Sequence, residues 1–543
     1  MNPHLLIQKF KSLYQIALCV VVGAVLSLNA FALEITRITA DREKISIVGR
    51  GNEASNFSIV ELAPYQSAHD IADAPVVGTA KGGGKFKINL PRRDGTRDRL
   101  YSGFVACSRS NGLHTACSEI HFVEEMHGVA RYNEAFPSVS SKKGLQVQMV
   151  DDAIALGVKH AALNVDLAGM VDPSGDTHNP AWELDGVTYR FRRQNVEALD
   201  EKAKTLSDAG IIVTLILLCY ESGDPAVNHI MLHPHFSQKS PHRLSAFNTA
   251  TPEGLRYFKA CIEFLADRYS MPNHPHGRAV NFIVGNEVNA HWEWSNLGEA
   301  TMEQFAEDYL RTVRICNTAV HKMNANSRVY LSLEHHWNIR MGDPLQTFQG
   351  RNFIDYFNQR ARAGGNFDWN LAFHPYPEDL NEPRTWNDKT ATLSNDTPRI
   401  TFKNIEMLPL YFQRPELLFH GKPRHLILSE QGFNTVKGPH GEAWQAAAYC
   451  YAYYKISQLP GIDSFILHRH VDHRDEFGLS LGLWRRNEVS SQPSEPGCHK
   501  MIYEVFKNAD TPQWRESFEF ALPIIGIHSW EEIKPKTSQA LRK

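Results

Sequence analysis

The chain has 543 residues, of which 42% are hydrophobic and 22% are charged, and this composition is typical of a globular protein. The chain is longer than a single hydrophobic core usually organises, so we expect one large domain and a smaller one. The formal net charge is -3 and no basic cluster is present, which argues against a nucleic-acid partner.

The N-terminal segment, residues 1–32, has the features of a secretory signal peptide. Lys9 and Lys11 form a positive region, residues 13–28 are apolar, and Ala30-Phe31-Ala32 is a cleavage signal. We therefore predict cleavage after Ala32 and a secreted or periplasmic protein, with an uncleaved N-terminal anchor as the alternative. No later apolar run is long enough to span a bilayer, so we expect no stable membrane insertion.

Residues 33–125 have the pattern of a small all-β domain. Short runs with alternating apolar residues are separated by Gly and Pro, at 44–48, 57–60, 85–90, 101–107 and 115–123. They predict a β-sandwich-like domain. Cys107 and Cys117 flank a turn-like Ser-Asn-Gly sequence, and they could form a disulfide in an oxidising compartment.

From residue 126 to about 510, helical segments alternate with short apolar runs, which is typical of βαβ units. We predict helices at 143–156, 193–209, 252–269, 301–323, 354–363, 402–412, 442–459 and 498–507. Strands are predicted near 128–132 and at 158–165, 211–218, 280–285, 329–333, 369–373, 426–428 and 462–467. The fold class is therefore α/β, a (β/α)8 TIM barrel preceded by the β domain. Residues 511–543 form a C-terminal extension.

Two predicted strands end in a glutamate. Gly285-Asn286-Glu287 closes the fourth strand and Leu428-Ser429-Glu430 closes the seventh. The C-terminal ends of barrel strands form the floor of the active site. Cleavage of a glycosidic bond needs two carboxyl groups that flank the bond, so we predict that Glu287 and Glu430 are catalytic.

These two motifs resemble those of the clan A glycoside hydrolases, in which an Asn-Glu pair ends the fourth strand and a Glu ends the seventh. The resemblance covers roughly residues 128–507. It implies a retaining double displacement, with Glu287 as acid/base, Glu430 as nucleophile and Asn286 bound to the sugar 2-hydroxyl. More narrowly, the chain resembles a secreted family within this clan, which implies no particular sugar.

Further polar and aromatic residues at strand ends predict a cleft that binds carbohydrate. They are Asn164, His335, Trp337, His374, Tyr376, His468, Arg469 and Trp484. Trp337 and Trp484 are predicted to stack on sugar rings. The resemblance implies a His or Tyr near the nucleophile after the sixth strand, where Tyr376 could orient Glu430. If the strand count slipped, Glu334 could be a catalytic partner.

Two other functions stay open. His468, His470 and His473 with Asp472 and Asp475 could ligate a metal, which would make the protein a metal-dependent polysaccharide hydrolase or deacetylase, although no recognised metal-binding spacing is present. The third possibility is a non-catalytic barrel that binds carbohydrate. The sequence favours a secreted glycoside hydrolase that acts on a poly- or oligosaccharide and needs no cofactor or metal.

Overall fold

The centre of the protein is a closed barrel of eight parallel strands, seen in a computed structural model that describes residues 33–51, 56–110 and 113–536. The strands are nearly all buried apolar sequence, as expected of a parallel sheet covered on both sides. In chain and barrel order they are Lys143–Gln146, His160–Asp166, Ile212–Leu218, Ala279–Val284, Arg328–Glu334, Trp369–His374, Leu426–Leu428 and Ser464–Leu467. The predicted fold class is confirmed.

The first barrel strand is not where the sequence pattern placed it. The predicted strand near 128–132 is wrong, and so is the start of the predicted helix 143–156, because Lys143–Gln146 is the strand and Val150–Ala155 the helix. Gly144 lies between the second and eighth strands, where an added Cβ would be 2.9 Å from the His160 carbonyl oxygen and from Ile466. Glycine therefore allows the barrel to close here. The correction leaves the ranks of the fourth and seventh strands unchanged.

Helices surround the barrel and connect successive strands. The long ones are Arg193–Asp208, Pro252–Arg268, Met302–Met323, Gly350–Ala363 and Gly441–Gln458, and the shorter ones are Val150–Ala155, Leu167–Met170, Pro225–Met231, His291–Trp294, Met407–Tyr411, Met501–Asn508, Trp514–Phe518 and Ala521–Ile525. Helix Met302–Met323 begins with a capping box between Thr301 and Gln304, which satisfies free amide groups of its first turn. None of the helices in the described ranges combines the length and apolarity needed to cross a bilayer.

The N-terminal domain has two four-stranded sheets. One has the order Glu125–Met126, Leu33–Ala40, Lys44–Gly51, Gly84–Pro91, and the other has the order Val76–Lys81, Asn56–Leu62, Gly103–Ser110, Leu113–Ala116. The domain is joined to the barrel through buried polar contacts. The Tyr101 hydroxyl donates to Glu263 of the barrel at 2.5 Å, and Asp98 lies 3.3 Å from Lys322 of the barrel.

The suggested disulfide is not formed, since Cys107 and Cys117 are both free thiols. Cys107 pairs in register with Ala116, one residue before Cys117, so its side chain lies on the sheet face that Ala116 shares. There it is fully buried in an apolar cluster with Val60 and Val105, and burial raises the pKa of the thiol to about 12.

Two of the predictions concern the N-terminal and C-terminal segments. The predicted signal peptide, residues 1–32, lies outside the described residues. The C-terminal extension packs on the barrel, where Trp530 is 6% exposed and its ring centroid is 5.3 Å from that of Tyr454 in helix Gly441–Gln458. At least this part of the extension belongs to the folded body.

Candidate active site

Glu287 follows the fourth barrel strand in a left-handed backbone conformation, with φ of 39° and ψ of 51°. Such backbone is uncommon for a residue with a side chain, and strained conformations of this kind cluster at active sites. The Glu287 amide donates to the Ser332 hydroxyl at 3.0 Å, and its carboxylate lies 2.8 Å from His374 Nδ1. The other imidazole nitrogen of His374 is 3.0 Å from the Ser429 hydroxyl. The fifth strand thus holds the Glu287 backbone, while His374, which is itself held by Ser429, positions the Glu287 side chain.

Glu430 follows the seventh strand and is held through both carboxylate oxygens. The Tyr376 hydroxyl donates to Oε1 at 3.1 Å, and the Gln146 amide donates to Oε2 at 3.0 Å. The amide oxygen of Gln146 lies 2.7 Å from His468 Nδ1, and His468 Nε2 lies 3.0 Å from Glu476. A chain of hydrogen bonds from the first and eighth strands therefore orients Glu430, as Tyr376 was predicted to do from the sixth.

The two carboxylates face each other at short range. One oxygen of Glu287, one oxygen of Glu430 and a nitrogen of His374 all lie within 4.8 Å of one another. Like charges this close disfavour simultaneous ionisation, so the pKa values of the pair move apart.

Burial raises the pKa of Glu287, and the negative charge of Glu430 and Glu334 raises it further, although the contact with His374 opposes the shift. For Glu430 burial also acts upward. It is outweighed by the imidazoles of His468 and His374 and by the two hydrogen bonds, which together hold the pKa of Glu430 below its usual value. The site therefore pairs a carboxyl group that keeps its proton to higher pH than usual with one that loses its proton at lower pH than usual.

Glu334 is a third carboxylate near this pair. Asn289 donates to its Oε1, the His336 amide donates to Oε2 at 2.9 Å, and His336 Nδ1 lies 2.5 Å from Oε2. Burial would raise the pKa of Glu334, but the hydrogen bonds and the charge of the neighbouring imidazoles lower it to about 2. Glu334 is thus a fixed negative charge whose oxygens are already hydrogen-bonded. It is better suited to raise the pKa of Glu287 than to take the place of Glu287 as a catalytic residue.

Other predicted residues lie around the pair in different ways. Asn286 is half-buried next to Glu287. Asn164 is exposed and, with His468 and Arg469, lines a cavity of about 560 Å³ at the ends of the first, second and eighth strands. His374 is only 1% exposed, and its contacts make it a positioning residue for Glu287.

Two of the aromatic and histidine predictions fit the structure poorly. Trp337 is 2% exposed and packs edge-on against Phe373 and Tyr411. It is therefore a core residue, and its predicted stacking on a sugar is wrong because neither ring face is accessible. His335 is 7% exposed, with its ring against that of His336, so little of it can reach a substrate.

Trp484 lies in a short hairpin of the last long connection, formed by Trp484–Arg486 and Pro496–His499. Its indole donates to Asp152 at 2.9 Å and its ring packs against those of His499 and Tyr503. These contacts hold it near the first barrel helix. Its role in substrate binding stays a prediction.

The histidines and aspartates suggested as a metal site take part in separate hydrogen bonds and ion pairs. His470 bonds Asp152 at 2.8 Å, His468 bonds Gln146 and Glu476, and Asp472 pairs with Lys500. Within the part of the chain that the structure describes, the close groups of possible ligands are Glu334-His335-His336 and Glu287-His374-Glu430. In the second group both nitrogens of His374 are already hydrogen-bonded, so neither has a free lone pair for an ion.

Several residues of the site were not anticipated from the sequence. They are Gln146, Ser332, Ser429 and Glu476. Gln146 was hidden because its strand was assigned to a helix, yet Leu145, Val147 and Met149 alternate as strand residues do. Glu476 contacts His468, which lies eight residues earlier in the chain. It is in a loop whose path the sequence does not reveal.

Comparisons with known proteins give one family and a set of distant structures. The model of a family of unknown function, DUF5722, matches residues 135–533, and no curated protein matches the chain. Solved structures that resemble it include a family 39 glycoside hydrolase from Bacteroides cellulosilyticus WH2, at 12% identity over 88% of this chain and 82% of that chain with a TM-score of 0.44.

A glucosidase from Croceicoccus marinus is 12% identical over 70% of this chain and 69% of that chain, with a TM-score of 0.41. The family 1 β-glucosidase from Thermotoga maritima is 12% identical over 66% and 84%, with a TM-score of 0.40. The barrel assignment itself comes from the strand order described above. Since the family model spans most of its length, the chain belongs to the DUF5722 family.

Proposed function

We propose that this protein is a glycoside hydrolase that cleaves an O-glycosidic bond of a poly- or oligosaccharide with retention of configuration. The observation that carries the proposal is the pair of strand-end carboxylates, Glu287 and Glu430, with oxygens within 4.8 Å of each other. Retaining enzymes hold their carboxyl groups about 5 Å apart, whereas inverting enzymes leave roughly 6.5 to 9.5 Å for a water molecule.

In the first step the ionised Glu430 attacks the anomeric carbon and forms a glycosyl ester, while Glu287 gives its proton to the departing oxygen. In the second step Glu287 takes a proton from water, the water oxygen attacks the anomeric carbon, and Glu430 leaves as a carboxylate. The opposite pKa shifts of the two groups support these roles.

The coupling of the two carboxyl groups also supports the change of role. Glu430 loses its negative charge when it becomes an ester, so one cause of the raised pKa of Glu287 disappears at that stage. Glu287 then gives up its proton more readily and can act as a base. A fixed charge on Glu334 limits how far this pKa falls, because it persists through both steps.

Other residues have supporting roles in the proposal. Tyr376 and Gln146 position Glu430, and His374 positions Glu287. The side chain of Asn286 makes no hydrogen bond to any described residue and is half-buried at the site, so it is free to bind the sugar 2-hydroxyl. Asn164 and Arg469 line the adjoining cavity and are proposed to contact further substrate hydroxyls.

Export is a separate part of the proposal and rests on the sequence of residues 1–32 alone. A signal peptide cleaved after Ala32 would place the mature enzyme in the periplasm or outside the cell, where polysaccharides are available as substrates. Carbohydrate is the proposed partner, with no nucleic-acid or membrane partner.

The test is a hydrolysis screen of aryl glycosides and soluble polysaccharides with four proteins: the wild type, Glu287→Gln, Glu430→Gln and Glu488→Gln. The last is a matched control, because Glu488 is 77% exposed and, among the described residues, pairs with Arg486 alone. We expect cleavage by the wild type and the control, and a loss of several orders of magnitude in both active-site variants. If the wild type binds a carbohydrate but none of the four proteins cleaves it, the result would instead favour a non-catalytic carbohydrate-binding barrel.

A further inference from the structure

The connection after the eighth barrel strand crosses the mouth of the barrel. Its segment Glu476–Leu481, called the bridge below, begins at the hydrogen bonds between Glu476 and His468. Phe477 then reaches His242 and Trp294, with ring centroids 5.1 Å and 6.4 Å away in edge-on geometry. His242 and Trp294 follow the third and fourth strands, and the fourth strand is diametrically opposite the eighth in the barrel order.

The far end of the contact is at the floor of the cleft. Trp294 packs on the inward-facing apolar layer of the barrel, which includes Leu218, Ile283 and Tyr330. The ring of His242 stacks on Trp294, with centroids 4.2 Å apart and planes 16° from parallel. The bridge therefore meets a rigid aromatic pair instead of a loose loop.

The near end is anchored on the same side as the nucleophile. Leu479 and Leu481 form a buried cluster with Tyr376, the residue that donates to Glu430. The Ser480 amide donates to Asn434 at 2.8 Å, and the Thr435 amide donates to the Ser480 carbonyl at 2.9 Å. The bridge is thus fixed to the sixth and seventh strand ends by its last three residues, which follow Phe477 in the chain.

These contacts carry the bridge across the mouth of the barrel. The cavity of about 560 Å³ lined by Gln146, Asn164 and His468 lies to one side, toward the first, second and eighth strands. A segment that spans the mouth obstructs the lateral entry of an internal stretch of polymer toward Glu430. A free chain end does not need lateral entry.

Phe477 itself is suited to guide such an end. Its ring is 66% exposed although it touches two other rings, and its backbone is left-handed with φ of 53°. An exposed aromatic face at the entrance can pack against the apolar face of a sugar ring.

From this geometry we infer that the bridge makes the enzyme a chain-end hydrolase, which releases small sugars from polysaccharide ends and does not cut internal bonds. The inference rests on the proposed glycosidase function. It concerns the Glu476–Leu481 segment and its contacts with His242 and Trp294.

The test compares loss of viscosity with release of reducing ends, using full-length mature protein on soluble β-glucan, xylan and galactomannan and on an aryl glycoside. Phe477→Gly removes the ring, and glycine tolerates the left-handed backbone. Val489→Gly is the matched control, since Val489 is in the same long connection and is 93% exposed. Thermal melting of each variant checks that it is folded.

We expect the wild type and Val489→Gly to release reducing ends with little loss of viscosity. In Phe477→Gly, viscosity loss per reducing end should increase several-fold, and because this ratio is taken within one protein it does not depend on the overall rate of cleavage. Rapid viscosity loss with the wild type overturns the inference but leaves the glycosidase proposal intact. An unchanged ratio in a folded Phe477→Gly also overturns it, and absence of any cleavage by the wild type removes both proposals.

Discussion

The hydrogen bond from Tyr376 to Glu430 offers the sharpest quantitative test of the site. The substitution Tyr376→Phe removes only the hydroxyl that donates to Oε1 at 3.1 Å and leaves the donor from Gln146 in place. A hydrogen bond to a charged group contributes about 1.5 to 3 kcal/mol. The bond is already present in the free enzyme, so its loss lowers kcat/KM by misplacing the nucleophile, and since a misplacement of about 1 Å can cost about a hundredfold in rate, kcat/KM should fall about ten- to a hundredfold.

The pH profile gives a second readout that a purely structural role would not produce. Tyr376 helps to lower the pKa of Glu430, so its loss raises that pKa. The nucleophile must be ionised, and the acid limb of the pH–rate profile should therefore move to higher pH. The matched control is Tyr503→Phe, which removes a hydroxyl bonded to Asp152 at 2.7 Å outside the pair. Equal kcat/KM and an unmoved acid limb in Tyr376→Phe would refute this reasoning.

Three further predictions concern charge, packing and export. Glu334→Gln removes a negative charge that raises the pKa of Glu287, so the alkaline limb of the pH–rate profile should move to lower pH; an upward or absent shift would contradict the assigned tuning role. Trp337 is buried at 2% exposure, so Trp337→Ala should lower the free energy of unfolding by about 3 to 5 kcal/mol. The melting temperature should fall while both limbs of the pH–rate profile stay in place, and near-native stability would count against a core role. N-terminal sequencing of protein recovered from the periplasm or medium should start at Leu33, and a start at Met1 would show that no signal peptide is removed.

The strand ranks were predictable because most barrel strands are continuous apolar runs. Strand Ala279–Val284 and strand Leu426–Leu428 are short, continuous and followed by a glutamate, and this pattern is local in the sequence. The first strand, Lys143–Gln146, has Leu145 as its one large apolar residue, and it lies shortly before helix Val150–Ala155. With so little apolar sequence of its own, the strand is easily taken for part of the following helix.

The surroundings of the pair were less predictable because they depend on how loops return to the barrel. Trp337 and Tyr376 both follow strand ends, yet one packs into the core and the other meets Glu430. Burial of a loop residue is decided by the path of the chain, which residue type does not reveal. The same holds for Glu476, which reaches His468 only because the bridge folds back over the mouth.

The central claim is that Glu430 forms a covalent bond to the sugar, and one measurement addresses it directly. In Glu287→Gln the second step lacks its base, so an activated dinitrophenyl glycoside of the sugar found in the screen should accumulate as a glycosyl-enzyme. Mass spectrometry of the peptides should place the added sugar on Glu430. An adduct on another residue, or no adduct together with a wild-type product of inverted configuration, would contradict the account.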